Sequence, residues 1–275
     1  MPFISTKELE FYYEISDFTV PWEKQPKNLL FLHGLHGSLT YWKHFQVGFF
    51  SKYFRVLNMD QRGHGKSFKP ADGYSIEEMA DDVYRIIKQL NLTPTHVVGA
   101  SMGGMVTLQL ALAYPDAVES IVLVDSFPYA PVPLQQTIDK WVSQVNAKGY
   151  AEVMRTFNTD NASALFSESY LNKRPNFIDY DDKSVLGNLM PAEAFNGACE
   201  AIKQFDARDR LPEIKIPSLI ITSNEGLGFE SAQLMKERMP NAEIWAPEEI
   251  GHLINIEEPD LFNNHVLEFL QRIHK

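Results

Sequence analysis

One stretch decides the fold: THVVGASMGGMVTLQLALAYP, which covers Thr95–Pro115. A strand-like apolar run, His96–Val98, comes first, and a helix is predicted over about Met102–Ala113. Between them, Gly99-Ala-Ser-Met-Gly103 matches the G-x-S-x-G pattern, a sharp turn that needs small residues around a strained serine. The stretch therefore predicts a strand-turn-helix unit with Ser101 as a candidate nucleophile.

Short apolar runs alternate with amphipathic stretches on both sides of this unit. Runs that are apolar at successive positions are typical of strands buried on both faces, and their alternation with helices indicates a parallel sheet. Ser75–Glu78 matches a capping box and predicts a helix through about Leu90. The predicted fold class is α/β, a mostly parallel sheet flanked by helices. The other predicted strands are Leu29–Leu32, Phe54–Met59, Ile121–Val124, Leu219–Thr222 and Ala242–Ala246, with helices over Phe229–Met239 and after Pro259.

The alternation stops after Pro128 and resumes at Pro217. Aromatic residues occur between these prolines at irregular spacing, with helical stretches but no clear strand. We predict a helical cap over residues 127–205, inserted into one core domain made of residues 1–126 and 206–275.

Composition excludes several kinds of partner. With 25 basic and 36 acidic residues, the net charge of −11 argues against nucleic-acid binding. The single cysteine, Cys199, cannot form an internal disulfide, and no Cys/His spacing is typical of a zinc site, so no metal or cofactor is expected. No signal peptide or long apolar span is evident. We expect a soluble, cytoplasmic monomer or homodimer that acts on a small molecule and does not bind membranes.

Five stretches carry a resemblance to a known family. They are His33-Gly-Leu-His-Gly-Ser38, Asp60-Gln-Arg-Gly-His-Gly-Lys-Ser67, Gly99-Ala-Ser-Met-Gly-Gly104, Leu123-Val-Asp125, and Gly251-His252 followed by Glu258-Pro259. From about Leu29 to Ile273 the chain resembles the α/β-hydrolase superfamily, cap included. Together these motifs are specific for the fold and much less specific for a substrate.

The resemblance implies roles for several residues. A serine nucleophile needs a base, and His252 follows the last predicted strand, as the chain order of serine, acid and histidine requires. The backbone N–H groups of Leu35 and Met102 would form the oxyanion hole, the pair of donors that stabilises charge in the transition state. His33, His36 and His64 are expected near the same edge of the sheet, where they would orient the loops through hydrogen bonds.

The position of the triad acid is the open question. In the commonest family pattern it follows the seventh strand, but Gly226 occupies that position here. Asp125, 24 residues after Ser101, is at the end of the sixth strand, where some relatives that resemble lactone and enamide hydrolases keep their acid. Because Ser101 and Asp125 end neighbouring strands, Asp125 is favoured. Glu225 is the alternative acid, and a dyad or another acid stays open.

The predicted activity is that of a serine hydrolase. It would cleave a small ester or lactone, or an amide-like bond, through a Ser101–His252–Asp125 triad and an acyl-enzyme. Two alternatives remain: a hydrolase of carbon–carbon bonds in ring-cleavage products, and a ligand-binding receptor on a hydrolase scaffold.

Overall fold

The structure, a computed structural model, describes residues 2–20, 22, 26–174, 190–224 and 226–273. Within this part of the chain, eight strands form one sheet in the order β1-β2-β4-β3-β5-β6-β7-β8. Strands β3 to β8 pair in parallel, and the N-terminal hairpin joins the sheet antiparallel, through β2 and β4. The predicted α/β class is confirmed. The strands are β1 Phe3–Thr6, β2 Leu9–Ser16, β3 Asn28–Leu32, β4 Arg55–Met59, β5 Thr95–Ala100, β6 Val118–Val124, β7 Ser218–Ile221 and β8 Ala242–Trp245.

Helices cover both faces of this sheet. On one face α3 and α4 pack on residues such as Leu30 and Val97, and on the other α13 packs on residues such as Phe31 and Val98. The α-helices are α1 Thr40–Trp42, α2 Gly48–Phe50, α3 Ile76–Gln89, α4 Met102–Ala113, α5 Val132–Lys148, α6 Tyr150–Met154, α7 Phe157–Asp160, α8 Ala162–Leu165, α9 Glu168–Lys173, α10 Ala192–Gln204, α11 Gly226–Arg238, α12 Ile254–Glu257 and α13 Pro259–Arg272. A π-helical turn over Lys43–Val47 joins α1 to α2, and 3-10 turns cover Pro115–Ala117 and Arg208–Glu213.

The carboxyl ends of β3, β5, β6 and β7 meet at one edge, because these strands are parallel neighbours. In register, Leu32 pairs with Gly99, Ala100 with Val124, and Val124 with Ile221. The residues that follow these strand ends therefore lie side by side. They include the candidate nucleophile and the candidate acid.

The connection between β6 and β7 contains the helices α5 to α10. We call residues 132–204 the cap segment. The predicted cap boundaries, 127 and 205, stay a prediction, and residues 175–189 lie outside the described part of the chain.

One local expectation, the capping box, needs correction at the start of α3. The Ser75 hydroxyl accepts a hydrogen bond from the Glu78 N–H at 3.1 Å, as a capping residue does, but the Glu78 carboxylate pairs with Arg62 at 2.7 Å. The guanidinium of Arg62 also lies 2.6 Å from the buried carboxylate of Asp82, so α3 provides both of its carboxylate partners. Removing either member of the buried Arg62–Asp82 pair would leave an uncompensated charge in the interior.

Candidate active site

Ser101 lies at the turn between β5 and α4. Its backbone has φ 51° and ψ −118°, a region that favours glycine, so the turn is strained. Its carbonyl accepts a hydrogen bond from the Ser126 hydroxyl at 2.8 Å, and its N–H donates to the Val124 carbonyl at 2.9 Å. A Cβ at Gly103 would lie 2.5 Å from the Leu32 carbonyl oxygen, so only glycine fits there. The surrounding structure thus holds the serine in its strained geometry.

The loop after β3 passes directly beside this serine. A Cβ at Gly34 would lie 3.2 Å from Ser101 Cβ and 3.8 Å from Ser101 Oγ. Leu35 and Met102 are buried, and no acceptor among the described residues takes the backbone N–H of either one. N–H groups at the start of a helix are commonly left for a ligand. This arrangement is compatible with an oxyanion hole, which stays a prediction.

Buried histidines anchor the same loop. His33 Nδ1 donates to the Gly34 carbonyl at 2.8 Å, and its Nε2 accepts from the Gln61 N–H at 3.2 Å. His64 lies next to it, with 5.0 Å between ring centroids, and its Nε2 is 2.7 Å from the Leu35 carbonyl oxygen. The expectation that these two histidines orient the loop through hydrogen bonds is confirmed.

His33 is held in its neutral form. Its Nε2 must keep a lone pair to accept from Gln61, and burial lowers the pKa of His33 to about 4, although the Gly34 carbonyl opposes this shift. The unfolded chain, with an ordinary histidine pKa near 6.5, takes up a proton at a pH where the folded protein does not. Stability is therefore lost as the pH falls from about 6.5 towards 4.

We expect His33 to contribute about 2 kcal/mol of acid destabilisation between pH 7.5 and pH 5. The free energy of unfolding from urea titrations should fall more steeply over this range in the wild type than in His33→Gln. His44, exposed on the π-helical turn, provides the control, because His44→Gln should keep the wild-type slope. Parallel curves for the wild type and His33→Gln would contradict the assignment.

His36 contacts the cap segment instead of the loop backbone of its own motif. Its ring lies 4.1 Å from the Phe157 ring, 5.3 Å from that of Trp141 and 5.5 Å from that of Phe195, measured between centroids. Burial lowers the pKa of His36 to about 3, with His64 as a smaller cause in the same direction. The aromatic side chains predicted in the cap thus pack on the residue that follows Leu35.

Asp125 and His252 face each other at the edge of the sheet. Asp125 Oδ2 lies 3.7 Å from His252 Nδ1, within the range of an ion pair but longer than a hydrogen bond. Asp125 Oδ1 accepts a hydrogen bond from the Thr222 hydroxyl at 2.8 Å. The Asp125 side chain is buried, whereas that of His252 is 29% exposed. The carboxylate is therefore enclosed behind the ring, and the ring itself is accessible.

The environment of Asp125 opposes its ionised form. Burial raises the pKa of Asp125, and this effect outweighs His252, the Thr222 hydroxyl and the Ser223 N–H, which act in the opposite direction. Glu257 raises the pKa of Asp125 further through charge repulsion. An imidazolium at His252 would relieve both effects, because a positive charge would then face the buried carboxylate.

Residues 27–259 match the family model of the alpha/beta hydrolase fold. The chain belongs to the α/β-hydrolase fold family. The resemblance predicted from the five motifs is therefore confirmed.

Three proteins are similar to this α/β-hydrolase over nearly their whole length. RutD of Agrobacterium fabrum, named as a candidate carbamate hydrolase, is 27% identical over 90% of this chain and 94% of its own length. The crystal structure of the enol-lactonase from Burkholderia xenovorans has a TM-score of 0.86 at 25% identity, covering 98% of this chain and all 100% of that one. Est816, described as an N-acyl homoserine lactone degrading enzyme, has a TM-score of 0.80 at 27% identity over 98% and 100% of the two chains. Hydrolase activity is the coarse function that the comparisons support, and it agrees with the prediction.

Gly226 occupies the position after β7 where the usual acid of an α/β-hydrolase is expected. Helix α11 begins at Gly226, and the alternative acid, Glu225, lies outside the described residues. A Cβ at Gly228 would lie 2.9 Å from Asp125 Oδ1 and 2.8 Å from Thr222 Oγ1. The first turn of α11 therefore packs directly against the carboxylate at the end of β6.

Sequence reasoning did not single out three polar residues that support this site. They are Ser126, which holds the Ser101 carbonyl; Thr222, which holds Asp125; and Glu257, a buried carboxylate beside the His252 loop. Glu257 stands directly before the Glu258-Pro259 pair of the quoted motif. Its place five residues after His252, next to the quoted Glu258-Pro259 pair, is the signal that could have identified it.

The described part of the chain contains no group of three or more His, Cys, Asp or Glu side chains placed to hold a metal ion. None of the helices within it combines the length and the apolar character needed to cross a bilayer.

Proposed function

We propose that this protein hydrolyses small esters and lactones, or an amide-like bond such as a carbamate, with Ser101 as nucleophile, His252 as base and Asp125 as the triad acid. The observation that carries the proposal is the 3.7 Å approach of Asp125 Oδ2 to His252 Nδ1 at the sheet edge where β5 presents Ser101. No cofactor takes part in this chemistry.

In the first step, Ser101 Oγ attacks the substrate carbonyl carbon while His252 Nε2 takes the hydroxyl proton. The imidazolium that forms is stabilised by Asp125, which also fixes the tautomer with its proton on Nδ1. The tetrahedral oxyanion accepts hydrogen bonds from the Leu35 and Met102 N–H groups. Losing one such donor typically lowers the rate about 10²–10³-fold.

In the second step, the C–O or C–N bond of the leaving group breaks and His252 donates its proton to the leaving atom. A lactone leaves its alcohol attached to the acyl chain, so the acyl-enzyme carries a free hydroxyl. Water then attacks the acyl carbonyl while His252 takes one of its protons. The bond between the acyl carbon and Ser101 Oγ breaks, and His252 returns the proton to Ser101 Oγ. The complete cycle consumes one water molecule for each bond cleaved.

The relatives support the proposed substrate class. Two of the solved structures are described as an enol-lactonase and an N-acyl homoserine lactone degrading enzyme, and curated relatives are named as candidate carbamate hydrolases. Both bond types place a carbonyl beside a heteroatom leaving group, which one triad can serve. Lactones are the first candidates, and carbamates are the second.

A fluorophosphonate probe should label the native protein once, on the peptide that contains Ser101. The same preparation should hydrolyse p-nitrophenyl acetate and, in a screen of esters, lactones and carbamates, one class well above the rest. Labelling is measured by intact mass and peptide mapping, and hydrolysis by product release. An unlabelled serine together with tight binding of a small molecule and no turnover would overturn the proposal in favour of a receptor.

A further inference from the structure

Glu257 ends the short helix α12 and is buried at 2% exposure. One carboxylate oxygen accepts hydrogen bonds from the Gly251 N–H at 2.9 Å and the Ser167 N–H at 3.0 Å. The other accepts from the Ser167 hydroxyl at 2.6 Å. The Glu257 side chain therefore connects the residue before His252 to Ser167 of the cap segment, which lies 90 positions before Glu257 in the sequence.

The cap backbone reinforces this connection on both sides of the histidine. The Leu253 N–H donates to the Leu165 carbonyl at 3.2 Å. A Cβ at Gly251 would lie 2.7 Å from the backbone Cα of Phe166 and 2.4 Å from a Glu257 oxygen. Both neighbours of His252 are thus held by residues 165–167 of the cap segment or by the carboxylate that binds them.

A buried carboxylate near Asp125 is electrostatically unfavourable, as its effect on Asp125 shows. Three hydrogen-bond donors compensate the charge of the Glu257 carboxylate. Two of them belong to Ser167, the N-terminal capping residue of α9. A residue that only filled space between α12 and the cap would not need a charge there. The arrangement therefore points to a role in orienting what it binds.

We propose that Glu257 is a positioning residue that fixes the His252 loop against the cap segment through Ser167, so that docking of the cap sets the orientation of the base. The effect on catalysis rests on the proposed hydrolase function. The connection itself does not depend on turnover, because it consists of contacts within the chain.

Kinetics of p-nitrophenyl acetate hydrolysis test the catalytic part. Glu257→Ala should lower kcat about 10–100-fold with little change in KM, because a misplaced base slows chemistry more than binding. Glu257→Gln should recover most of that loss, since its amide oxygen can still accept from Gly251 and Ser167. Ser167→Ala should lower kcat by a smaller factor, roughly threefold to tenfold. Ser163, an exposed serine of α8, provides the matched control, and Ser163→Ala should match the wild type.

Amide hydrogen exchange tests the connection without turnover. Peptides that cover residues 250–254 should exchange faster in Ser167→Ala than in Ser163→Ala, whether or not the wild type cleaves an ester. Faster exchange in a wild type that neither takes the fluorophosphonate label nor turns over any ester, lactone or carbamate would refute the hydrolase function and keep the connection. Equal exchange and equal kcat in the two serine variants would overturn the proposal, even if Glu257→Ala proved too unstable to purify.

Discussion

Replacement of Ser101 by alanine is expected to lower kcat for a small ester by about 10⁶-fold while the protein stays folded. Only the hydroxyl group is lost. The backbone strain at φ 51° is unchanged, because alanine and serine both carry a Cβ. Activity is measured as p-nitrophenyl acetate hydrolysis above the uncatalysed rate, and folding by circular dichroism. Fluorophosphonate labelling should be lost in parallel.

Ser101→Gly provides the matched control for this prediction. It should be as inactive as Ser101→Ala but more stable by about 1 kcal/mol, because glycine adopts positive φ without a Cβ penalty. A stability gain without any activity would identify Ser101 as a residue whose strain serves chemistry. Substantial residual turnover in both variants would instead exclude this serine as the nucleophile.

Strands β3 to β7 could be predicted because each is a short run that is buried on both faces. The prediction for β5 ended at Val98, whereas the strand continues to Ala100. Glycine has a low strand propensity, but a Cβ at Gly99 would lie 2.3 Å from the Gly103 carbonyl oxygen. The close packing of α4 therefore requires glycine at this position of the strand. The N-terminal hairpin lies outside the predicted alternation, since β2 is only partly buried and its side chains do not form a continuous apolar run.

The site was predictable to the extent that its residues follow strand ends. Ser101 and Asp125 lie side by side because β5 and β6 are parallel neighbours, which the alternation of strands and helices already indicated. Glu257 and Ser167 could not be paired in this way. Their contact joins the cap segment to helix α12 across 90 positions of the sequence, and no periodicity or local motif encodes such a contact.

Replacement of Asp125 by asparagine is expected to lower kcat about 10⁴-fold. The asparagine oxygen can still accept from the Thr222 hydroxyl, but its amide N–H would then face His252 Nδ1. That contact favours the tautomer with the proton on Nε2, which cannot accept the proton of Ser101. The loss should therefore appear in kcat, measured with p-nitrophenyl acetate, and little in KM.

The same substitution should leave stability unchanged or raise it at neutral pH. Burial raises the pKa of Asp125, so the folded protein binds this proton more tightly than the unfolded chain does. The ionised carboxylate therefore destabilises the folded protein at pH values above the folded-state pKa of Asp125. This destabilisation disappears as the pH falls below the pKa that Asp125 has in the unfolded chain. Urea titrations at pH 7.5 and pH 4 should show any gain of Asp125→Asn shrinking at the lower pH.

Glu225→Gln distinguishes the two candidate acids, because it neutralises the residue nearest to the usual family position and leaves Asp125 intact. If the acid follows β6, this variant should keep kcat within about threefold of the wild type, as expected for a residue without a catalytic role. A loss of about 10⁴ confined to Glu225→Gln would move the acid back to the loop after β7. The contact between Asp125 and His252 would then be structural. Comparable small losses in both variants would mean that His252 works as a base without an essential carboxylate partner.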